Sequence, residues 1–155
     1  MRGVILDIPN ARQLSDGLCW AACVAPVVTY LTGQPISQYD LAAAAGRRAS
    51  DGATIADIRR ALGKVAGVLT CPTRPCTAEA AFTCLARRRP ILLIVDIGQG
   101  FTAHSVCLRG LIRTGEWHAV VNEPNLAGDH ALFVPFARLR AAWRESLVIF
   151  AGAKP

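Results

Sequence analysis

From Cys19 to Leu31 the chain offers water no continuous face: Trp20, Ala21, Ala22, Val24, Val27, Val28 and Leu31 spread apolar side chains all round a helix. A helix of that kind must be covered on every side, so it predicts a buried central element around which a domain is assembled. Asp16 is placed to cap its first turn, and Gly33 stops it. Pro26 removes one amide donor and argues against a perfectly regular helix. The run is also too short for a membrane span, because Thr29 to Gln34 interrupts it, and Asp96 likewise closes the apolar run from Ile91. No transmembrane segment is expected.

Shorter elements surround this one. Val4 to Leu6 reads as a short strand. Ser37 caps a helix running to Ala45 and ended by Gly46, and Thr54 to Leu62 forms another with Ile55, Ile58 and Leu62 on one face. Thr77 starts a fourth helix, with Glu79 in its first turn, Arg87, Arg88 and Arg89 at its last, and Pro90 beyond. The period then changes. Ile91–Val95, His104–Leu108, Trp117–Val121 and Leu147–Phe150 read as strands, with one short helix over Pro135–Trp143. Helices first and antiparallel strands after define an α+β plan without repeats, and 155 residues fit a single domain over 1–155.

Charge and cysteine usage exclude more than they suggest. The net charge of +6 is spread evenly over both halves, so there is no basic arm. Arg87, Arg88 and Arg89 lack both a recognised module and interleaved aromatics, and nucleic-acid binding is not expected. Cys71 and Cys76 resemble half a zinc site, but no second pair exists, so no metal is expected; a local disulfide fits only an exported chain. Cys84 and Cys107 read as core. Gly98, Gln99 and Gly100 lack the Lys and Ser or Thr of a phosphate loop and read instead as a flexible loop beside His104 that bounds a substrate cleft. No cofactor is expected. The amino-terminal residues carry no cleavable signal, which fits a cytoplasmic chain or one secreted by another route.

The chemistry concentrates between Gln13 and Ala22. A thiol in the first turn of a helix feels the positive end of the dipole, which favours the thiolate. Attack on a carbonyl needs in addition a histidine to manage the proton and donors for the developing oxyanion. The backbone amide of Cys19 and the side-chain amide of Gln13 are candidates for the latter. The plainer alternative, a small buried cysteine on an apolar helix, describes Cys23 one turn deeper.

A glutamine six residues before the run Cys19, Trp20, Ala21, Ala22 resembles the papain-like cysteine peptidases. It is most similar to a compact bacterial branch that includes double-glycine leader peptidases and small cysteine-protease effectors of plant pathogens. Thr29 to Gly33 resembles that family's helix exit, and Ile36, Ser37, Gln38 through Ala42 its following helix. His104 to Gly110 resembles the strand that opens with the base and runs into a glycine turn, and Trp117 to Val121 followed by Asn122, Glu123 and Pro124 resembles the strand that carries the orienting residue.

The resemblance implies a papain-like α+β fold in which the Cys19 helix packs on an antiparallel sheet. It implies Cys19 as nucleophile, His104 as base, Gln13 as oxyanion donor, and Trp20, Gly98 and Gly100 along the substrate cleft. Asn122 is the favoured orienter of His104 and Glu123 the alternative, since neighbours on a strand point to opposite faces. His118 and His130 read as packing or solvent-facing. The implied substrate is a peptide or protein, hydrolysed or altered by deamidation or acyl transfer. Without an ATPase or membrane domain on the chain, a freestanding bacterial effector or toxin is favoured, with room for an inhibitor, immunity or secretion partner. The rival class is a non-catalytic binding module on the same scaffold.

Overall fold

The computed structural model describes residues 1–98, 103–126 and 131–152. The apolar run becomes helix α1, Cys19–Thr32, entered through a 3-10 turn at Asp16–Leu18 and ended by Gly33 at φ 73°. Asp16 therefore lies inside the turn and caps nothing: the residue before α1 is Leu18, and no side chain bonds the helix start. Pro26 is accommodated within the helix. Trp20, Ala21, Ala22, Cys23, Val24, Val27 and Val28 are buried, as an all-round apolar helix requires.

Helices α2, Gln38–Ala45, and α3, Ile55–Gly63, follow with the caps that their sequences announce. Ser37 accepts from the Asp40 amide at 3.0 Å. Thr54 and Asp57 form a reciprocal capping box, and the Asp57 carboxylate also holds Arg47 and Arg60. Helix α4, Ala78–Ala86, is capped by Thr77, and α5 spans Phe136–Ala142.

Seven strands among the described residues build the antiparallel sheet. They are β1, Arg2–Ile5; β2, Val68–Thr73; β3, Ile91–Asp96; β4, Ala103–Thr114; β5, Glu116–Asn122; β6, Ala131–Pro135; and β7, Trp143–Ala151. Their order is β2-β7-β3-β4-β5-β6, with β1 paired to the far half of β4. Two strands escaped the sequence reading: β2, which contains Pro72, and β6, only five residues long. Both are edge strands, where a missing amide donor is tolerated and the apolar pattern is weak.

A second difference concerns Gly110. It is no turn residue: β4 runs through it to Thr114, and the hairpin turn falls at Gly115, φ 110°. The register slips between Leu108 and Gly110, so Arg109 is the extra residue of a bulge. A glycine is needed there because a Cβ would lie 2.9 Å from the Val4 carbonyl oxygen.

Gly17 is the tightest point of the approach to α1. A Cβ at this position would meet the Ala49 carbonyl oxygen at 2.4 Å and the Asp51 nitrogen at 2.6 Å, both backbone atoms. Gly17→Ala is accordingly expected to lower stability by at least about 1–3 kcal/mol through overpacking, read from the urea midpoint. Gly63→Ala, which would place its Cβ in open space at the end of α3, is expected to raise stability by about 0.4–1 kcal/mol, seen as a higher midpoint.

Candidate active site

The amino end of α1 meets the start of β4, and three side chains from separate parts of the sequence converge there. Cys19 is the first residue of α1 and stays partly exposed. His104, on β4, is 7% exposed. Its Nε2 lies 2.6 Å from Oε1 of Glu123, just beyond β5, and the same carboxylate oxygen accepts from the Asn125 amide at 2.9 Å. With Nε2 engaged by Glu123, Nδ1 is the ring nitrogen left for the Cys19 thiol, which lies near enough to shift the imidazole.

The electrostatics follow from this geometry. Burial alone would raise the Cys19 pKa, but the hydrogen bond with His104, contacts to the backbone and hydroxyl of Ser105, and the imidazole charge together lower it below the ordinary thiol value. Burial likewise works to lower the His104 pKa, and the bonds to Cys19 and Glu123 with their charges overcome it, raising the imidazole to about 9. Both shifts favour a thiolate–imidazolium pair. Four residues on, Cys23 shows the opposite outcome. Fully enclosed and near Cys107 and Cys19, its pKa is pushed well above the usual thiol value, and it donates to the Ser105 carbonyl at 3.5 Å.

Asn122, the favoured orienter, does not reach His104. Its Nδ2 donates to the carbonyls of Ile8 and Pro9 at 2.9 and 3.1 Å, and its Oδ1 accepts from Arg109 Nε at 2.7 Å. Strand alternation sends adjacent side chains to opposite faces, and the face toward His104 belongs to Glu123. Asn122 instead fastens the amino-terminal segment to the sheet.

Gln13 lies on that segment. Its amide donates to the Pro124 carbonyl at 2.8 Å, and its Nε2 reaches Ser15 O at 3.3 Å. Trp20 is 1% exposed and belongs to the core, so it does not line the cleft: next to Cys19 on the helix, it is turned inward among α1's packing residues. Gly98 sits at φ 77° after β3, its amide bonded to Asp96 Oδ1 at 2.8 Å. Gly100 and His130 lie outside the described residues. His118 stacks on Phe133 with ring centroids 4.8 Å apart, a packing position on the hairpin. All six cysteines are free thiols, so Cys71 and Cys76 form no bridge.

A cavity of about 400 Å³ adjoins His104 and Glu123, with Val106, Val121, Val134 and Leu139 as apolar walls and Asp96 and Arg138 as charged ones; Cys19 does not line it. Ser105 and Gln38 are the site-region residues that the sequence reading passed over. Ser105 follows the base directly, and that adjacency was the available signal. Gln38 carried no signal beyond its place at a helix start.

A nucleophile helix packed on an antiparallel sheet that presents the histidine is the architecture of the papain-like cysteine proteases. Residues 4–132 match the family described as papain-like cysteine protease AvrRpt2, and the chain belongs to that family. Solved structures agree on the fold. The peptidase domain of Streptococcus ComA, a bi-functional ABC transporter involved in quorum sensing, superposes with a TM-score of 0.74 at 18% identity, covering 95% of this chain and 99% of that one. A putative C39-like peptidase from Bacillus anthracis gives 0.74 at 16% identity, covering 99% and 100%. Bromelain from Ananas comosus, in complex with the E64 inhibitor, gives 0.67 at 13% identity, with 99% and 100% covered. No curated protein sequence matches the chain. Among the described residues, no helix is long and apolar enough to cross a membrane.

The division between positions 122 and 123 is testable by titrating the thiol. Glu123→Gln removes the charge that supports the imidazolium, so the His104 pKa should fall and the Cys19 pKa should rise. Iodoacetamide modification of Cys19, followed by mass spectrometry across pH, should then begin at higher pH than in the native protein. Asn122→Ala should leave that onset in place while lowering the melting temperature.

Proposed function

We propose that the protein is a cysteine peptidase or amidohydrolase acting on a peptide or protein substrate, with Cys19, His104 and Glu123 as its triad. The observation that carries this reading is the convergence of Cys19, His104 and Glu123, with His104 Nε2 2.6 Å from the Glu123 carboxylate, the thiol pKa lowered and the imidazole pKa raised by their mutual interaction. A structural cysteine has no use for such a partner, as Cys23 illustrates.

In the reaction, the Cys19 thiolate attacks the substrate carbonyl carbon and the carbonyl electrons move to oxygen. The Cys19 backbone amide and the Gln13 side-chain amide receive that oxyanion. Collapse breaks the C–N bond, and the proton carried by His104 goes to the departing amine. Water then attacks the thioester, giving its proton to His104, and the thiolate is released with the acid product. Glu123 holds the ring orientation and stabilises the imidazolium throughout, without itself taking the proton. The adjoining apolar cavity favours a substrate with a bulky apolar side chain near the scissile bond. The resemblance of the sequence to small bacterial effector proteases supports an effector or toxin role.

Incubation with a complex peptide mixture and mass spectrometry of new termini tests the reading. Native protein is expected to generate new termini, or to release ammonia from side-chain amides if it is a deamidase, and Cys19→Ala and His104→Ala should abolish either product. Gln13→Ala should slow turnover by roughly 10²–10³ if it donates to the oxyanion. A native protein whose Cys19 labels no faster than the other five thiols, and which forms no product, would instead be a non-catalytic binding module on this scaffold.

A further inference from the structure

We propose that Gln38, the first residue of α2, is a positioning residue that clamps the peptide groups on both sides of Gln13 and thereby aims its side-chain amide. The proposal rests on reading Cys19 as a nucleophile and Gln13 as its oxyanion donor. Gln38 is 8% exposed, and both ends of its amide are committed to one short strip of chain. Oε1 accepts from the Leu14 amide at 3.0 Å, and Nε2 donates to the Arg12 carbonyl at 2.9 Å. Gln13 is the residue between. Its own amide is held from elsewhere, by the Pro124 carbonyl at 2.8 Å, directly after Glu123. Three consecutive residues are thus pinned by α2 and by the loop that carries the carboxylate.

The strip needs such pinning. Residues 6–13 form no helix or strand, so their polar backbone groups must find partners outside a ladder. The Gln13 side chain, by contrast, is poorly held by its own bonds. Nε2 makes one long contact, 3.3 Å to Ser15 O, and Oε1 is buried with no donor among the described residues. A buried unpaired acceptor is destabilising and calls for a reason other than stability. An amide has two N–H donors, so one stays available for a ligand oxygen. Its aim is therefore inherited from the backbone, and the backbone is set by Gln38.

Two probes of Cys19 separate this role from a structural one. Iodoacetamide displaces iodide from carbon and builds no oxyanion. A small aldehyde such as N-acetylphenylalaninal adds the thiolate to its carbonyl carbon, and the carbonyl oxygen becomes an alkoxide that the donors must hold, before or as it takes the His104 proton. Aldehyde affinity is measured as protection of Cys19 from iodoacetamide. Gln38→Ala is expected to weaken aldehyde binding roughly tenfold to a hundredfold, the scale of a misplaced catalytic group. The rate and pH profile of iodoacetamide labelling should be unchanged, and adding Gln38→Ala to Gln13→Ala should cost nothing further. Gln38→Met, similar in length but without the amide, should repeat the result and carries the test if the alanine variant fails to fold.

Native-like aldehyde affinity in a folded Gln38 variant would overturn the proposal. So would losses that add to those of Gln13→Ala, an equal fall in iodoacetamide reactivity, or a native protein that alkylates at Cys19 yet binds no aldehyde. Failure of native Cys19 to label selectively would instead overturn the nucleophile reading itself.

Discussion

Two neighbouring residues on one strand cannot face the same way, and the site depends on how that constraint is used at the end of β5. Glu123 turns toward His104, while Asn122 turns to the carbonyls of Ile8 and Pro9. One residue fixes the imidazole and its neighbour fixes the chain that leads to Gln13. The loop just beyond adds a third tie through the Pro124 carbonyl. His104 and the segment bearing Gln13 are therefore positioned from the same few residues. A register slip there would exchange the two faces and disturb both at once.

A carboxylate at this position differs physically from an amide. Nε2 and Oε1 are 2.6 Å apart in a half-enclosed setting, where a charged acceptor stabilises an imidazolium and an amide only orients a ring. Enclosure by itself favours neutral forms of both His104 and Cys19, and each partner offsets the other's desolvation, which favours the charged pair. Burial raises the pKa of both Cys23 and Cys107, and the Arg109 charge that works the other way at Cys107 does not overcome it. Of the three cysteines where α1 meets β4, the partly exposed one at the helix start has its pKa lowered by its partners, and the two buried ones have theirs raised.

Much of this was legible where local rules act alone. The all-round apolar pattern of α1, the Ser37, Thr54 and Thr77 caps and the glycine stops at Gly33 and Gly46 each depend on residues within a turn or two of one another. Cys19 and His104 were legible as a pair through the family pattern. The 122 and 123 choice was not, because facing depends on the register of β5 against β4, and that register contains a bulge at Arg109. Strands β2 and β6 were missed for a related reason: an edge strand is defined by what pairs with it, and its own side chains need not alternate cleanly. Trp20 was misassigned because adjacency to the nucleophile in sequence says nothing about facing on a helix, where successive residues are turned by roughly 100°.

The Arg109 bulge also explains why a strand so central to the site runs so long. Before it, β4 pairs with β3 through Leu108; after it, β4 pairs with β1 from Gly110. At the changeover the Arg109 carbonyl accepts from the Leu6 amide at 2.8 Å, and its guanidinium reaches both Asn122 and the Leu6 carbonyl. The extra residue turns a strand that would otherwise leave the amino-terminal chain unattached into its anchor. From that anchor the chain passes Ile8 and Pro9, held by Asn122, and arrives at Gln13 between the Gln38 clamp and Pro124. An irregular segment can carry a catalytic donor only if its path is determined at short intervals, because each unpinned residue restores backbone freedom worth about 1–2 kcal/mol. Here the interval is never more than a few residues, and the ties come from buried or half-buried polar groups that bind one another as well as the segment.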